Sequence, residues 1–280
     1  MALVGGREML VAARAGGYAI PAFNVFNLEM VQAALAAAAA ERSPVVIQVS
    51  PRTAGYAGLP VISAIVRVLA AECPVPVALH LDHGPDLGAV EDALFAGFTS
   101  VMYDGADLPF AENASRSAEV VRVAHAAGAS AEAELGQVGH VGDAAPVDGF
   151  TDPGEARVFV EATGVDALAV SIGTVHGMAA TGARIDIARI AALREAAGVP
   201  LVMHGSSGVD DESLAAAIRA GITKVNLSTA LQREFMNALR ASAAMPGHET
   251  DARAVLGDAR DAVIAAARRR IGVLGSAGKA

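Results

Sequence analysis

Along this chain, short runs of β-branched and apolar residues take turns with longer stretches whose apolar positions recur every three to four residues. The first kind reads as buried strand and the second as amphipathic helix. Strands are expected at 18–25 (with Asn24 at the exit), 44–50, 75–81, 99–103, 130–135, 166–172, 199–203 and 222–227. A helix is expected after each, at 28–42, 60–71, 87–96, 110–127, 152–163, 186–197, 211–220 and 229–244. Gly97, Gly128, Gly164, Gly198 and Gly221 each stand between a helix and the next strand, where a left-handed residue commonly ends a helix.

Strand-helix alternation demands a parallel sheet with right-handed crossovers. Eight such units favour an α/β fold of the closed (β/α)8 kind, a TIM barrel, over an open doubly wound sheet. Residues 251–270 read as one more helix, a C-terminal extension of the barrel. No linker or composition shift divides the chain, so residues 1–280 are expected to form one domain. The longest connection, 136–153, is rich in Gly and Asp and is expected to act as a flap over the barrel mouth.

Composition narrows the function. The chain is 53% hydrophobic and 18% charged, and alanine is the commonest of its apolar residues. The alanine-rich run 33–40 lies between Glu29 and Glu41-Arg42, too short a gap for a membrane span. Residues 1–10 carry Arg7 and Glu8 and no apolar core before a cleavage site, so no secretory signal and a cytoplasmic location are expected. A single cysteine, Cys73, excludes a disulfide framework and a cysteine zinc finger. The net charge of −9 and 4% aromatic content argue against nucleic acid, which needs clustered cations and stacking rings.

In such a barrel the chemistry sits where strands exit at the C-terminal face. The eight exits carry Asn24, Ser50, Asp82-His83, Asp104, Glu134, His176, His204 and Asn226. Strand ends turn polar simply because they meet water, so one or two would carry no weight; eight of eight do. His83, His176 and His204 come from three different strands, and three imidazoles with an open position make a catalytic zinc site. Asp104 and Glu134 fall between them in strand order and suit a second metal or the orientation of the ligands. His125 falls on a helix, His140 and His248 in loops, and His80 mid-strand, where packing explains it.

Two small-residue turns follow strands seven and eight, at 204–208 (HGSSG) and 226–229 (NLST). Ordinary helix capping by Ser228 or Thr229 accounts for either alone. Together, at the place where barrels bind phosphate through backbone N–H groups, they favour a phosphorylated ligand. Other chemistries remain open at this point. An amidohydrolase-type metal site would want H-x-H on the first strand, and no histidine precedes His80. A Schiff-base enzyme would need one of only two lysines, Lys224 and Lys279.

The segments AFNVFNLE (22–29), HLDHG (80–84), SVMYDGADLPFAEN (100–113), AEAELGQVG (131–139), FTDPGEA (150–156), VDALAVSIGTVHG (165–177), LVMHGSSG (201–208) and GITKVNLST (221–229) resemble, in order, the class II (zinc-dependent) fructose- and tagatose-bisphosphate aldolases. The resemblance covers nearly the whole chain. It implies a lyase that splits a ketose (bis)phosphate, such as fructose or tagatose 1,6-bisphosphate, into dihydroxyacetone phosphate and an aldehyde. It implies His83, His176 and His204 as ligands of catalytic Zn2+, with Asp104 and Glu134 at a second or alternative divalent position. Asp82 matches the acid/base for the C4 hydroxyl. Asn24 and Ser50 match groups around the polar head of the substrate. Gly177, Gly205 and Ser207 match segments that hold phosphate and a monovalent cation (Na+ or K+). Asn226, Ser228 and Thr229 match the dihydroxyacetone phosphate subsite. A homodimer or homotetramer in carbohydrate metabolism, glycolysis included, is the implied setting.

The chain departs from that pattern in places. Gly142 stands where the family's flexible loop carries a glutamate, leaving Asp143 or His140 as proton carriers. Ala179 replaces a common tyrosine, Ser206 a common glycine, and Ser228 the Asp or Ala that marks fructose- or tagatose-type enzymes. A second phosphate would need a cation, for which Arg253 or Arg268, Arg269 and Arg270 near the tail are candidates. An aldolase for a non-standard aldehyde, or an aldolase-like sugar-phosphate binder, is therefore the alternative expectation.

Overall fold

The computed structural model describes residues 3–139, 141, 149–177 and 182–280. Eight parallel strands, β1 (Ile20–Asn24), β2 (Val45–Val49), β3 (Val77–Gly84), β4 (Ser100–Tyr103), β5 (Ser130–Leu135), β6 (Ala167–Val170), β7 (Leu201–Met203) and β8 (Ile222–Leu227), close into a barrel in chain order. The seam pairs β1 with β8, Ile20 opposite Lys224 and Ala22 opposite Asn226. The outer ring comprises α2 (Leu28–Glu41), α4 (Leu59–Ala71), α5 (Leu87–Phe95), α6 (Phe110–Ala126), α7 (Pro153–Thr163), α8 (Ile187–Ala197), α9 (Asp211–Ala220) and α10 (Thr229–Ala243). The long C-terminal α11 (Ala252–Leu274) packs against α10 and α2. Among the described residues no single helix is long and apolar enough to cross a membrane.

Local chemistry sets these boundaries. Asn27, Asp86, Asp152, Asp186, Asp210 and Asp251 each accept a backbone N–H in the first turn of the helix they precede. Gly164 and Gly198 end α7 and α8 in the left-handed region. Between strands and helices lies the main core, where the alanines of α2 let the helix approach the sheet closely.

Two helices add to those expected from the sequence. The first, α1 (Gly6–Gly16), closes the N-terminal end of the barrel. Its Met9, Leu10 and Ala13 pack into a second apolar cluster with inward residues such as Ile20, Ala22, Met102 and Val202. Gly6 donates its N–H to Ser130 Oγ at 3.1 Å, and a Cβ there would sit 2.9 Å from that oxygen. The second, α3 (Pro51–Ala57), follows β2 directly. Ser50 caps it by accepting from Thr53 N, and Pro51 starts it. Gly55 and Gly58 hide this helix from a propensity reading, because glycine inside seven residues leaves too little periodicity to see.

β3 runs three residues beyond the expected 75–81, through a register shift against β4 between Leu81 and Gly84. In a regular strand neighbours point to opposite faces. Here His83 takes φ +54°. The bulge re-aims the strand, so Asp82 and His83 both face the barrel mouth.

Candidate active site

A cavity of about 470 Å³ opens at the C-terminal mouth. Asn24, Ser50, Asp82, His83, Asp104 and His176 line it. So do Gly177, Gly205, Ser206, Ser207, Asn226, Ser228 and Thr229. Donor atoms of His83, His176 and His204 lie within 4.8 Å of one another. Their rings stand edge-to-face, centroids 4.6 Å apart for His83 and His204 and 5.2 Å for His83 and His176. Gly205 makes this approach possible: its φ is +65°, and a Cβ would fall 2.8 Å from the Val175 carbonyl carbon, next to His176.

Two of the three histidines have a carboxylate at the far nitrogen. His83 donates from Nδ1 to Asp104 Oδ2 at 2.6 Å and turns Nε2 toward His204 Nδ1, 2.9 Å away. His204 in turn has Nε2 3.1 Å from Glu132 Oε1. This fixes which nitrogen each ring presents inward, as metal-ligating histidines require. His176 is held through its backbone, donating N–H to the Gly139 carbonyl at 2.8 Å. Beside them Glu134 Oε2 is buried without a hydrogen-bond partner, 3.8 Å from His204 Nδ1. Glu134 and Asp104 form a second cluster with His83. An unsatisfied buried carboxylate oxygen next to three imidazoles is the donor set of a divalent metal site.

Asp82 is set apart from this cluster by its own partners. Asn24 Nδ2 donates to its Oδ2 at 2.7 Å and Asn226 Nδ2 to its Oδ1 at 3.0 Å. Gln48 Nε2 holds Asn24 by donating to its Oδ1 at 3.1 Å. Asn226 Oδ1 is buried with no partner.

The charges respond to one another. Burial disfavours ionised Asp82, but His83, His204 and Lys224 with the Asn24 bond outweigh it and hold the carboxyl below its usual range. Burial likewise opposes a charged His83, yet Asp82, Asp104 and Glu134 push it up to about 9. Glu134 is pushed up to about 8, first by burial and then by the Asp104 charge. His204 falls well below the ordinary histidine value, through burial and the neighbouring His83 charge.

Not every expected residue joins the site. Arg253 does not: it lies in the first turn of α11, its side chain 96% exposed and paired with Asp251. α11 packs on the outside of the barrel, so Arg268 pairs with Glu41 and Arg270 with Asp211, and neither they nor Arg269 line the mouth. Asp143 and His140 lie outside the described residues, as does Ala179. Lys224 is 1% exposed and donates to Glu132 Oε2 at 2.7 Å, with His80 Nε2 3.3 Å away, so it does not open onto the cavity. Four participants escaped the sequence reading: Arg52 and Gln232, which line the cavity, Gln48 behind Asn24, and Glu132 beneath the cavity. Glu132 had a signal, since it stands two before Glu134 on β5 and shares its inward face.

Residues 4–279 match the family model described as "Fructose-bisphosphate aldolase class-II". The chain is similar to the YdjI aldolase of Escherichia coli, with 34% identity over 99% of both chains and a TM-score of 0.90. It also shares its fold with a fructose-bisphosphate aldolase of Campylobacter jejuni, at 24% identity over 100% of this chain and 97% of that one, TM-score 0.88. A closed barrel, a histidine cluster at its mouth and a family match over almost its full length place the chain in the class II fructose-bisphosphate aldolases, which are carbon–carbon lyases.

Proposed function

We propose that this aldolase is a zinc enzyme that reversibly cleaves a ketose (bis)phosphate to dihydroxyacetone phosphate and an aldehyde. The observation that carries the reading is the convergence of His83, His176 and the buried His204 beside a doubly hydrogen-bonded Asp82 at the barrel mouth. The three histidines hold the zinc, and Asp104 and Glu134 serve an alternative or second divalent position. Bound there, zinc supplies electrophilic stabilisation of the negative charge that carbon–carbon cleavage leaves on the ketose half.

Asp82 takes the proton of the C4 hydroxyl as the C3–C4 bond breaks, and the bond's electron pair stays with the ketose half. Its lowered proton affinity keeps it ready as a base, and Asn24 and Asn226 fix its two oxygens. The Asn226 Oδ1, buried without a partner, accepts from a substrate hydroxyl. Backbone N–H groups around Gly177, Gly205 and Ser207, and the start of α10 at Ser228 and Thr229, receive the phosphate with a sodium or potassium ion. Ser50 borders the distal part of the substrate. The proton that completes dihydroxyacetone phosphate at C3 comes from the loop after β5, with Asp143 first and His140 second as carriers in place of a glutamate at 142.

A panel of phosphorylated ketoses, incubated with chelator-stripped enzyme before and after zinc addition, tests this. Release of dihydroxyacetone phosphate on zinc addition from at least one ketose is expected. Tight binding of zinc and ligand without cleavage would instead make the protein a sugar-phosphate binder.

A further inference from the structure

Arg52 sits at the first turn of α3, next to its cap Ser50. It lines the main cavity and also a second hollow of about 300 Å³ bounded by Phe26, Thr53 and Tyr56. Ser50, Arg52 and Gln232 belong to both, so the two spaces meet at the guanidinium. Among the described residues Arg52 is the only arginine or lysine on either lining, and its side chain has no carboxylate partner. Arg52 is exposed, and its fork of donors is free to take an anion that enters the cavity.

Topology says which part of the substrate brings that anion. The small-residue turns follow β7 and β8, whereas Arg52 follows β2, two strands round the closed barrel from β8. Asp82 and His83 on β3, with His176 and His204 in the connections after β6 and β7, stand on the same mouth. A ketose whose phosphate lies on the turns and whose C4 hydroxyl meets Asp82 directs its remaining carbons away from the turns.

We infer that Arg52 is the specificity residue for the aldehyde half, and that this half ends in an anion, a phosphate or a carboxylate. The guanidinium takes two of its oxygens in a fork, Ser50 Oγ donates to them, and the hollow beside Phe26 and Tyr56 accommodates chains longer than three carbons. The inference rests on the ketose-phosphate reading above.

The test runs condensation of dihydroxyacetone phosphate by the zinc-loaded enzyme with matched aldehydes. Glyceraldehyde is set against glyceraldehyde 3-phosphate, and erythrose against the four-carbon aldehyde that ends in carboxylate, so the two anion types are separated. The wild type is expected to favour at least one charged partner over its neutral counterpart. Arg52→Ala should cut that preference by about 10- to 100-fold, mostly through KM, as loss of a hydrogen bond between charged groups does. Arg52→Lys should restore part of it, and Arg52→Glu should turn it against the anion. Equal losses on charged and neutral partners, or no preference in the wild type, would overturn the assignment. Exchange of the carbon-bound proton of dihydroxyacetone phosphate in deuterated water separates the two levels. If exchange runs without any anion preference, only the Arg52 assignment falls. If neither exchange nor condensation occurs with any aldehyde, the proposed function falls and takes this inference with it.

Discussion

Lys224 and Glu132 face each other inside the closed barrel, Nζ to Oε2 at 2.7 Å, with side chains 1% and 3% exposed. The other oxygen of Glu132 reaches His204 Nε2. Lys224 also approaches His80, whose Nδ1 meets Ser100 Oγ at 2.7 Å. A polar ladder thus runs from His204 down to Ser100 at the start of β4. The Lys224–Glu132 pair compensates two charges that burial would otherwise penalise heavily.

Glu132→Gln should therefore loosen His204 without removing it. Zinc affinity is expected to drop about 10- to 100-fold, the usual effect of losing the partner of a ligating histidine. Competition against a chelator of known affinity measures it. Lys224→Met should cost about 3–5 kcal/mol of stability, read from denaturant unfolding, because Glu132 is left charged and buried.

Replacing His83, His176 or His204 singly with alanine should lower bound zinc well below one per chain and abolish cleavage, since two imidazoles make too weak a site. Metal analysis after dialysis is the check. A variant that retains full zinc and full rate would remove that histidine from the ligand set.

Asp82→Asn should keep the zinc and slow cleavage by about 10²- to 10⁴-fold, the range for a lost general acid/base. Loss of metal instead of rate would make Asp82 a ligand. Asn24→Ala should slow the reaction less, since Asn226 still holds the other oxygen.

Metal and protons compete for this site. In the metal-free protein His83 is raised to about 9 and Glu134 to about 8, both above their unfolded values, so each group's stabilisation is greatest when protonated. That stability is complete below the unfolded values and is lost as pH rises through about 8 to 9. The chelator-treated protein should thus melt at a lower temperature at about pH 9 than at about pH 6. Zinc needs both groups deprotonated, so its stabilising increment should grow over the same interval. Zinc added to weakly buffered metal-free protein near neutrality should release protons. An unchanged melting temperature and no proton release would contradict this.

The barrel and most of its mouth were legible because strand exits come in order and each ends on a polar residue of one chemical kind or another. Glu134, Asp104 and His204 needed only the position of a strand to be found. Arg52 was not legible in this way, because the chain turns straight from β2 into α3 and the short helix decides where its side chain goes. Arg253 shows a related point: sequence proximity to the tail says nothing of which side of the barrel α11 covers, and in this chain it starts away from the cavity. The α1 helix has helical spacing in Met9, Leu10 and Ala13, but a lone amphipathic turn does not announce that it will plug a barrel.

The register shift in β3 has a mechanical consequence. Asp82 and His83 are consecutive residues on one kinked segment, so the proposed proton acceptor and a proposed metal ligand are carried as a single part. Any change in β3 that shifts one shifts the other with it. The spacing between base and metal can be tuned only from across the barrel, by Asn24 and Asn226 acting on Asp82 and by Asp104 acting on His83. Engineering this enzyme toward new carbon skeletons therefore leaves β3 untouched and works on the strands that brace it.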